Sequence, residues 1–145
     1  MLSRIAPSLA RTVLAVAAFI LAMIARKFIA DPVGAAAASQ IHLGSALAMT
    51  NMRASFGAFP LGCGLVAAGS LASSRFHLAG LVTVATVIGS ALVVRVGGVL
   101  SDGTFAQSRT VLSAEAGLLL FSLVAIVAVL SRRRFEGRTI AQPVA

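Results

Sequence analysis

Long apolar segments alternate with short polar ones along the whole chain. Each apolar segment is roughly 20 residues or more, the length that an α-helix needs to cross a hydrocarbon layer of ~30 Å. The pattern predicts four transmembrane helices, at about 11–30, 41–72, 78–96 and 110–131. We therefore predict an all-α, polytopic membrane protein, in which residues 1–131 form one four-helix transmembrane bundle and 132–145 form a basic cytoplasmic tail.

Helix-breaking residues mark the predicted helix ends. Asp31-Pro32 closes the first helix, because the residue before a proline avoids the α region. The next segment, 33–40, is predicted as a loop or as a short interfacial turn of helix. Gly97-Gly98, followed by Ser101-Asp102-Gly103, is predicted to end the third helix, and the connection then runs to Arg109.

The second predicted helix carries the features that suit lipid least: Arg53, Pro60 and three glycines within 51–65. Membrane helices tolerate such residues mainly where other helices cover them. Pro60 also predicts a bend, because it has no N–H to donate to the Phe56 carbonyl. At about 100° per residue one stripe collects several of these residues, and we predict that it faces inward. The stripe consists of Met49, Arg53, Gly57, Pro60 and Gly64.

Small residues at helical spacing predict where helices pack closely. Ala54, Ala58 and Gly62 form such a ridge on the second helix. On the third helix a seam of small or hydroxyl residues recurs every seven positions, at Thr83, Ser90 and Gly97. The predicted packing positions are Ala54, Gly57, Ala58, Gly62, Gly64, Ser90 and Gly97.

The composition agrees with a membrane protein, because 59% of the residues are hydrophobic and only 11% are charged. A soluble domain is about a quarter charged. The net charge of +8 is assigned to topology and lipid headgroups. A nucleic-acid partner is not expected, since a nucleic-acid reader needs its basic face in water. The expected location is the plasma membrane, as a bacterial inner-membrane protein.

The basic residues also predict the orientation. Seven lie on the side that holds both ends and the turn near residue 75: Arg4, Arg11, Arg75, Arg132, Arg133, Arg134 and Arg138. Four lie on the other side: Arg26, Lys27, Arg95 and Arg109. Seven against four favours cytoplasmic termini. Arg132, Arg133 and Arg134 are also predicted to contact lipid headgroups, at ~1 kcal/mol per basic residue near an anionic leaflet.

No cofactor, metal site or catalytic residue is predicted. Cys63 is the single cysteine, which excludes an intrachain disulfide and a multi-cysteine metal site. His42 and His77 have no acidic or cysteine partner at ligand spacing.

Charged residues from three predicted helices arrive in one layer near the outer surface. At a rise of 1.5 Å per residue, Arg53 and Arg95 lie about 30 Å and Glu115 about 25 Å above the cytoplasmic helix ends. An ionised carboxylate in hydrocarbon costs several kcal/mol unless it is paired, so Glu115 is predicted to pair with Arg53 or Arg95. The pair is interpreted as a structural lock, as part of a ligand pocket or as a proton-transfer group. The candidate polar layer is Asn51, Arg53, Arg95, Glu115, Asp31 and Asp102.

Several short motifs together resemble a known family. They are Asp31-Pro32, Asn51-x-Arg53-Ala54-x-x-Gly57, Gly62 with Gly64, Arg75, Arg95 followed by Asp102-Gly103, and Glu115. This set resembles the bacterial membrane family called domain of unknown function 4345, which is similar in outline to the DoxX-like four-helix membrane proteins. The resemblance implies a four-helix transmembrane bundle and no established activity.

Three functions remain as hypotheses. The first is a non-enzymatic accessory or scaffold subunit that packs against a larger membrane complex or against itself, in contact with membrane lipids. The alternative is a carrier or binding protein for a small lipophilic molecule or lipid, with a polar pocket near the outer leaflet. The third is a membrane enzyme acting on an isoprenoid or quinone-like substrate, with Glu115, Asp31 or Asp102 as acid or base.

Overall fold

The computed structural model describes the backbone of residues 2–140 and the side chains of residues 5–134. This part of the chain is helical and contains no strand. In chain order the elements are α1 (Leu2–Ala30), α2 (Pro32–Ala37), α3 (Ala46–Met52), a π-helical turn (Arg53–Ala58), α4 (Phe59–Gly69), a 3-10 turn (Ser70–Ala72), α5 (His77–Asp102) and α6 (Phe105–Ile140).

Four helical stretches are long and apolar enough to cross a membrane. These spans are Ile5–Ala30, Ala46–Ala72, His77–Asp102 and Phe105–Arg134. The predicted all-α membrane protein with four spans is thereby confirmed. We call the end that carries residue 5, the turn 73–76 and residue 134 the basal end, and the opposite end the distal end.

The first span lies at the centre of the bundle, because α1 packs against α4, α5 and α6, and α5 and α6 also pack against each other. Small side chains in α1 allow this close packing, since they let helix backbones approach one another. The buried core is Ala10, Val13, Leu14, Ala17, Ala67, Leu81, Val84, Ala125 and Val129.

The second span contains a π-helical turn next to Pro60, the residue at which a bend is predicted. The π-helical turn Arg53–Ala58 ends just before the α4 turn that holds Pro60. Because proline leaves one carbonyl of the preceding turn without its usual donor, a locally wider turn is a common way to accommodate it. The span begins at Ala46, later than residue 41, because Ser45 caps it by accepting a 3.1 Å hydrogen bond from the Ala48 N–H.

The connection between the first two spans includes a short helix, one of the two forms predicted for it. The Asp31 carboxylate caps α2 and accepts a 2.9 Å hydrogen bond from the Gly34 N–H. Pro32 stands at the first position of α2, where its missing N–H costs nothing.

The helix end predicted at Gly97-Gly98 is wrong, because both glycines lie inside α5. The helix ends instead at Gly103, whose φ of 68° is left-handed and whose N–H donates to the Val99 carbonyl at 3.0 Å. Glycine adopts this conformation without steric strain, so it is a natural helix stop. The connection to α6 is therefore short, and Arg109 lies on α6.

The first and last helices of the chain are longer than predicted. α1 begins at Leu2, ahead of residue 11, and α6 starts at Phe105, ahead of residue 110. The segment predicted as a basic tail continues α6 as far as Ile140, and residues 141–145 lie outside the described residues.

Candidate functional site

An ion pair joins α5 to α6 in the distal half of the bundle. Arg95 donates from Nε to Glu115 Oε2 and from Nη2 to Glu115 Oε1, both at 2.9 Å. The Glu115 side chain is 15% exposed and that of Arg95 is 39% exposed. Both carboxylate oxygens of Glu115 therefore accept a hydrogen bond from Arg95. Of the two partners that the sequence left open, Arg53 and Arg95, the structure selects Arg95.

The α5–α6 hairpin explains this choice. Arg95 lies eight residues before Gly103 and Glu115 lies twelve residues after it, about two and three helical turns from the bend. Two antiparallel helices joined by a short connection present such positions at similar heights. The planar guanidinium then matches the carboxylate with two parallel hydrogen bonds.

Arg53 serves a different element, since its Nε donates to the Ile29 carbonyl at 3.2 Å. Ile29 belongs to the last turn of α1, where carbonyls lack partners within the helix and Pro32 supplies no N–H. A cation at a helix C-terminus is also favoured by the helix dipole. The rings of Phe28 and Phe56 pack beside this contact with centroids 5.4 Å apart.

The other candidates of the polar layer do not join the ion pair. Asp31 caps α2 as described above, and Asn51 and Asp102 are exposed. Among the described side chains, no hydrogen bond connects Arg53 with Glu115. The layer predicted as one cluster therefore consists of two separate arrangements, one at the end of α1 and one between α5 and α6.

The small residues predicted for helix packing fall into two groups. Gly57 and Gly64 are buried against α1, where an added Cβ would lie 2.6 Å from Ile29 Cγ1 and 3.3 Å from Leu21 Cβ, respectively. The second group, at Ala54, Ala58, Gly62, Ser90 and Gly97, is exposed. At Gly62 and Gly97 no described atom lies within 4 Å of an added Cβ.

Sequence reasoning missed Gly80, which has the tightest surroundings of the glycines in α5. A Cβ there would lie 2.5 Å from Ser70 Cβ and 2.9 Å from Leu14 Cδ2. Its position shortly after a turn was the available signal, but nothing in the sequence pairs it with Ser70. His77 was also missed as a core residue, since it is only 2% exposed.

An open groove lies between the second span and α5 in the distal half. Its volume is about 440 Å³, and it is lined by Phe59, Val87, Ser90, Ala91, Val94 and Arg95. The two elements meet closely at Ser70 and Gly80, so the groove opens away from that contact. Ser90, one residue of the seam predicted on the third helix, therefore faces this groove.

The predicted lipid-contacting arginines lie at the basal end of α6. Arg133 donates from Nη2 to the Arg75 carbonyl at 3.3 Å. Arg132 is partly buried, and Arg134 is exposed. The end of the fourth span is thus attached to the turn between the second and third spans.

No three His, Cys, Asp or Glu side chains in the described part of the chain are arranged to hold a metal ion. Cys63 is a partly buried free thiol on α4.

Fold and site together define a small four-helix membrane protein with an interhelical ion pair and an open groove beside it. No family model, curated protein or solved structure matches this chain.

Proposed function

We propose that this chain is a non-enzymatic accessory subunit of a larger complex in the plasma membrane, with a bacterial inner membrane as the expected setting. It packs against a helix of another membrane protein through the middle and distal parts of its second and third spans. The observation that carries the proposal is the outward-facing ridge of Ala54, Ala58 and Gly62, which the chain's own helices leave uncovered.

The ridge suits a helix–helix contact in lipid. Without a hydrophobic driving force between helices, association in a bilayer depends on close van der Waals packing, which small residues allow. The neighbouring groove of about 440 Å³ offers a concave surface of mainly apolar side chains for the same partner.

The low internal burial of the spans supports the same proposal. Between 17% and 28% of the most apolar window of each span is buried inside the chain. Large apolar side chains such as Phe59 and Val94, which line the groove, are 60% and 75% exposed. The four helices therefore retain much surface for contact with lipid or with another protein.

The test is a comparison of two variants of the full chain, expressed in its native membrane. Gly62→Ile fills the ridge, and Gly117→Ile makes the same substitution on α6, at a glycine where no described atom lies within 4 Å of an added Cβ. After mild solubilisation, native gels and quantitative mass spectrometry measure the share of the chain bound to one stoichiometric membrane protein.

We expect Gly62→Ile to weaken this association roughly tenfold, equivalent to about 1.4 kcal/mol. Gly117→Ile leaves it unchanged. A wild-type chain that migrates only as a free monomer would contradict the proposal. Equal losses in the two variants would also contradict it, because the ridge would then have no special role.

A lipophile-binding function is the second candidate, and the exposed part of Arg95 favours it. Arg95 lines the groove while it binds Glu115, and its side chain is 39% exposed. A lipophilic molecule with a polar head could place that head at Arg95 and its apolar body along Val94 and Phe59. Loss of bound lipophile in Arg95→Gln, with the protein partner retained, would favour this function over the first.

Chemistry on an isoprenoid or quinone-like substrate has less support, because both Glu115 oxygens already accept hydrogen bonds from Arg95. The resemblance to domain of unknown function 4345 stays a prediction, and so does the cytoplasmic location of both termini.

A further inference from the structure

A second cavity lies at the basal end, away from the ion pair and the groove. Its volume is about 240 Å³, many times the ~10–15 Å³ that a single water needs by the same kind of measure. The start of α1, the turn 73–76, the start of α5 and the end of α6 all contribute to its wall. The residues that line it are Ala6, Pro7, Ser74, Arg75, His77, Val129, Arg132 and Arg133.

The polar side chains of this cavity are all able to donate hydrogen bonds. They comprise one hydroxyl, three guanidinium groups and one imidazole, and no carboxylate lines the cavity in the described part of the chain. Guanidinium groups have no acceptor atoms and match the oxygens of a phosphate especially well. The lining therefore selects for an anion rich in acceptor oxygens.

His77 is a buried polar residue in the wall of this cavity. His77 is 2% exposed, and its Nε2 has no hydrogen-bond partner among the described residues. Buried polar atoms are nearly always paired, because an unpaired one retains the full cost of losing water. His77 belongs to the wall of the cavity, but its Nε2 lies behind the surface that a water molecule reaches.

The guanidinium groups at this end are held by the fold. The 3.3 Å hydrogen bond from Arg133 to the Arg75 carbonyl connects α6 to the turn, and the Arg75 guanidinium lies 4.9 Å from the centre of the Phe76 ring. α5 begins at His77, so the positive end of its dipole points toward the same region.

The surrounding charge is also positive. Arg11 of α1 acts electrostatically on His77. Of the acidic residues, Asp31, Asp102 and Glu115 lie in the distal half. Glu136 of α6 follows the basic run at the basal end, where arginines outnumber it. This distribution favours an anion at the basal end and disfavours a cation.

We propose that the basal cavity binds the phosphate of an anionic phospholipid headgroup. The cavity lies where three spans reach the membrane boundary, and Ala6, Pro7 and Val129 form an apolar side of its wall. The nearby side chains of Ile5 and Leu130 are 47% and 40% exposed, so acyl chains have an apolar surface to lie against. Arg75 and Arg133 hold the phosphate oxygens.

The test measures lipid binding to the full chain by native mass spectrometry in mild detergent. The probes are phosphatidylglycerol, phosphatidylcholine of the same acyl chains, and inorganic phosphate. Arg75→Gln and Arg133→Gln each remove one guanidinium from the cavity. Arg134→Gln is the matched control, since it makes the same charge change on the same basic run outside the cavity lining.

We expect one tightly bound phosphatidylglycerol per chain, and each cavity variant should weaken it roughly tenfold because a charged hydrogen bond is lost. Arg134→Gln should change the affinity less than about twofold, as expected for an exposed charge.

Equal losses in Arg75→Gln, Arg133→Gln and Arg134→Gln would overturn the proposal, because they would indicate diffuse attraction to a charged surface. Equal affinity for phosphatidylcholine would overturn the requirement for an anionic headgroup. Displacement of phosphatidylglycerol by millimolar inorganic phosphate would overturn the lipid as the source and assign the cavity to free phosphate.

Discussion

At the scale of single residues, the central feature is a carboxylate whose two oxygens both bind one guanidinium. In a poorly polar environment an unpaired charge is costly, so the two groups stabilise each other mainly by preventing that cost. Arg95 is suited to the role because its planar donors match both oxygens of Glu115 at once. The contact also connects the last two spans directly.

A double-mutant cycle tests this pairing. Glu115→Gln or Arg95→Gln alone leaves one charge without its partner. We expect each variant to lower the free energy of unfolding by about 1–3 kcal/mol. The loss is smaller than for a fully buried pair, because the Arg95 side chain is partly exposed. The double variant should lose less than the sum of the two. Reversible unfolding of the purified protein in mixed micelles provides the measurement.

Arg53→Gln is the control for the cycle, because Arg53 binds the Ile29 carbonyl and not Glu115. Its effect should add to that of Glu115→Gln within about 0.5 kcal/mol. Non-additivity of Arg53 and Glu115, together with additivity of Arg95 and Glu115, would show that the pairing is wrong.

At the scale of helices, two helices approach closely at glycines where any side chain would collide with the neighbouring element. Gly80 lets α5 pass against the 3-10 turn and α1, because Ser70 and Leu14 occupy the space that a Cβ would need. Gly57 allows the π-helical turn to approach the end of α1 in the same way, against Ile29. Gly97 lies in the same helix as Gly80 but faces open space.

The comparison of Gly80→Ala with Gly97→Ala tests this distinction. The added methyl group at Gly80 overpacks a tight contact, and we expect a loss of about 1–3 kcal/mol in the free energy of unfolding. At Gly97 the same change should be neutral or stabilise the isolated chain by up to about 1 kcal/mol, since alanine favours the helix. Equal effects at the two positions, measured in the same micelles, would refute the assigned packing.

At the scale of the whole molecule, three spans packed around a central first span place residues 5 and 134 at the same end of the bundle. This basal end also carries Arg75, Arg132, Arg133 and Arg134. The positive-inside rule then predicts that it faces the cytoplasm. The proposed phosphate cavity consequently lies in the cytoplasmic leaflet, and the proposed partner surface extends from the middle of the membrane into the opposite leaflet.

Cysteine labelling on intact cells tests the orientation. In a Cys63→Ala background, Ser39→Cys and Ser101→Cys should react with a membrane-impermeant maleimide, because both positions are exposed at the distal end. Ser74→Cys should react only after the membrane is opened. The reverse pattern would place the termini outside, and labelling of all three in intact cells would contradict a single orientation.

The number of spans and the existence of a charge pair followed from local features of the chain. Length and hydropathy predict a spanning helix without reference to its neighbours. Glu115 needed a cationic partner because an unpaired carboxylate in an apolar span is costly, however the helices are arranged. The helix end at Gly97-Gly98 was predicted wrongly, because glycines are readily retained in a membrane helix whose backbone groups bond to each other, and the left-handed Gly103 provides the stop.

The sequence by itself therefore determined an all-helical membrane chain and the requirement that Glu115 be paired. Only the tertiary structure decided that Arg95 is the partner, that Gly80 rather than Gly97 is a packing position, and that His77 is buried beside a basic cavity. The physical reason is that helical periodicity specifies which residues share a face. The rotation of each helix toward its neighbours, set by packing across distant parts of the chain, decides what that face meets.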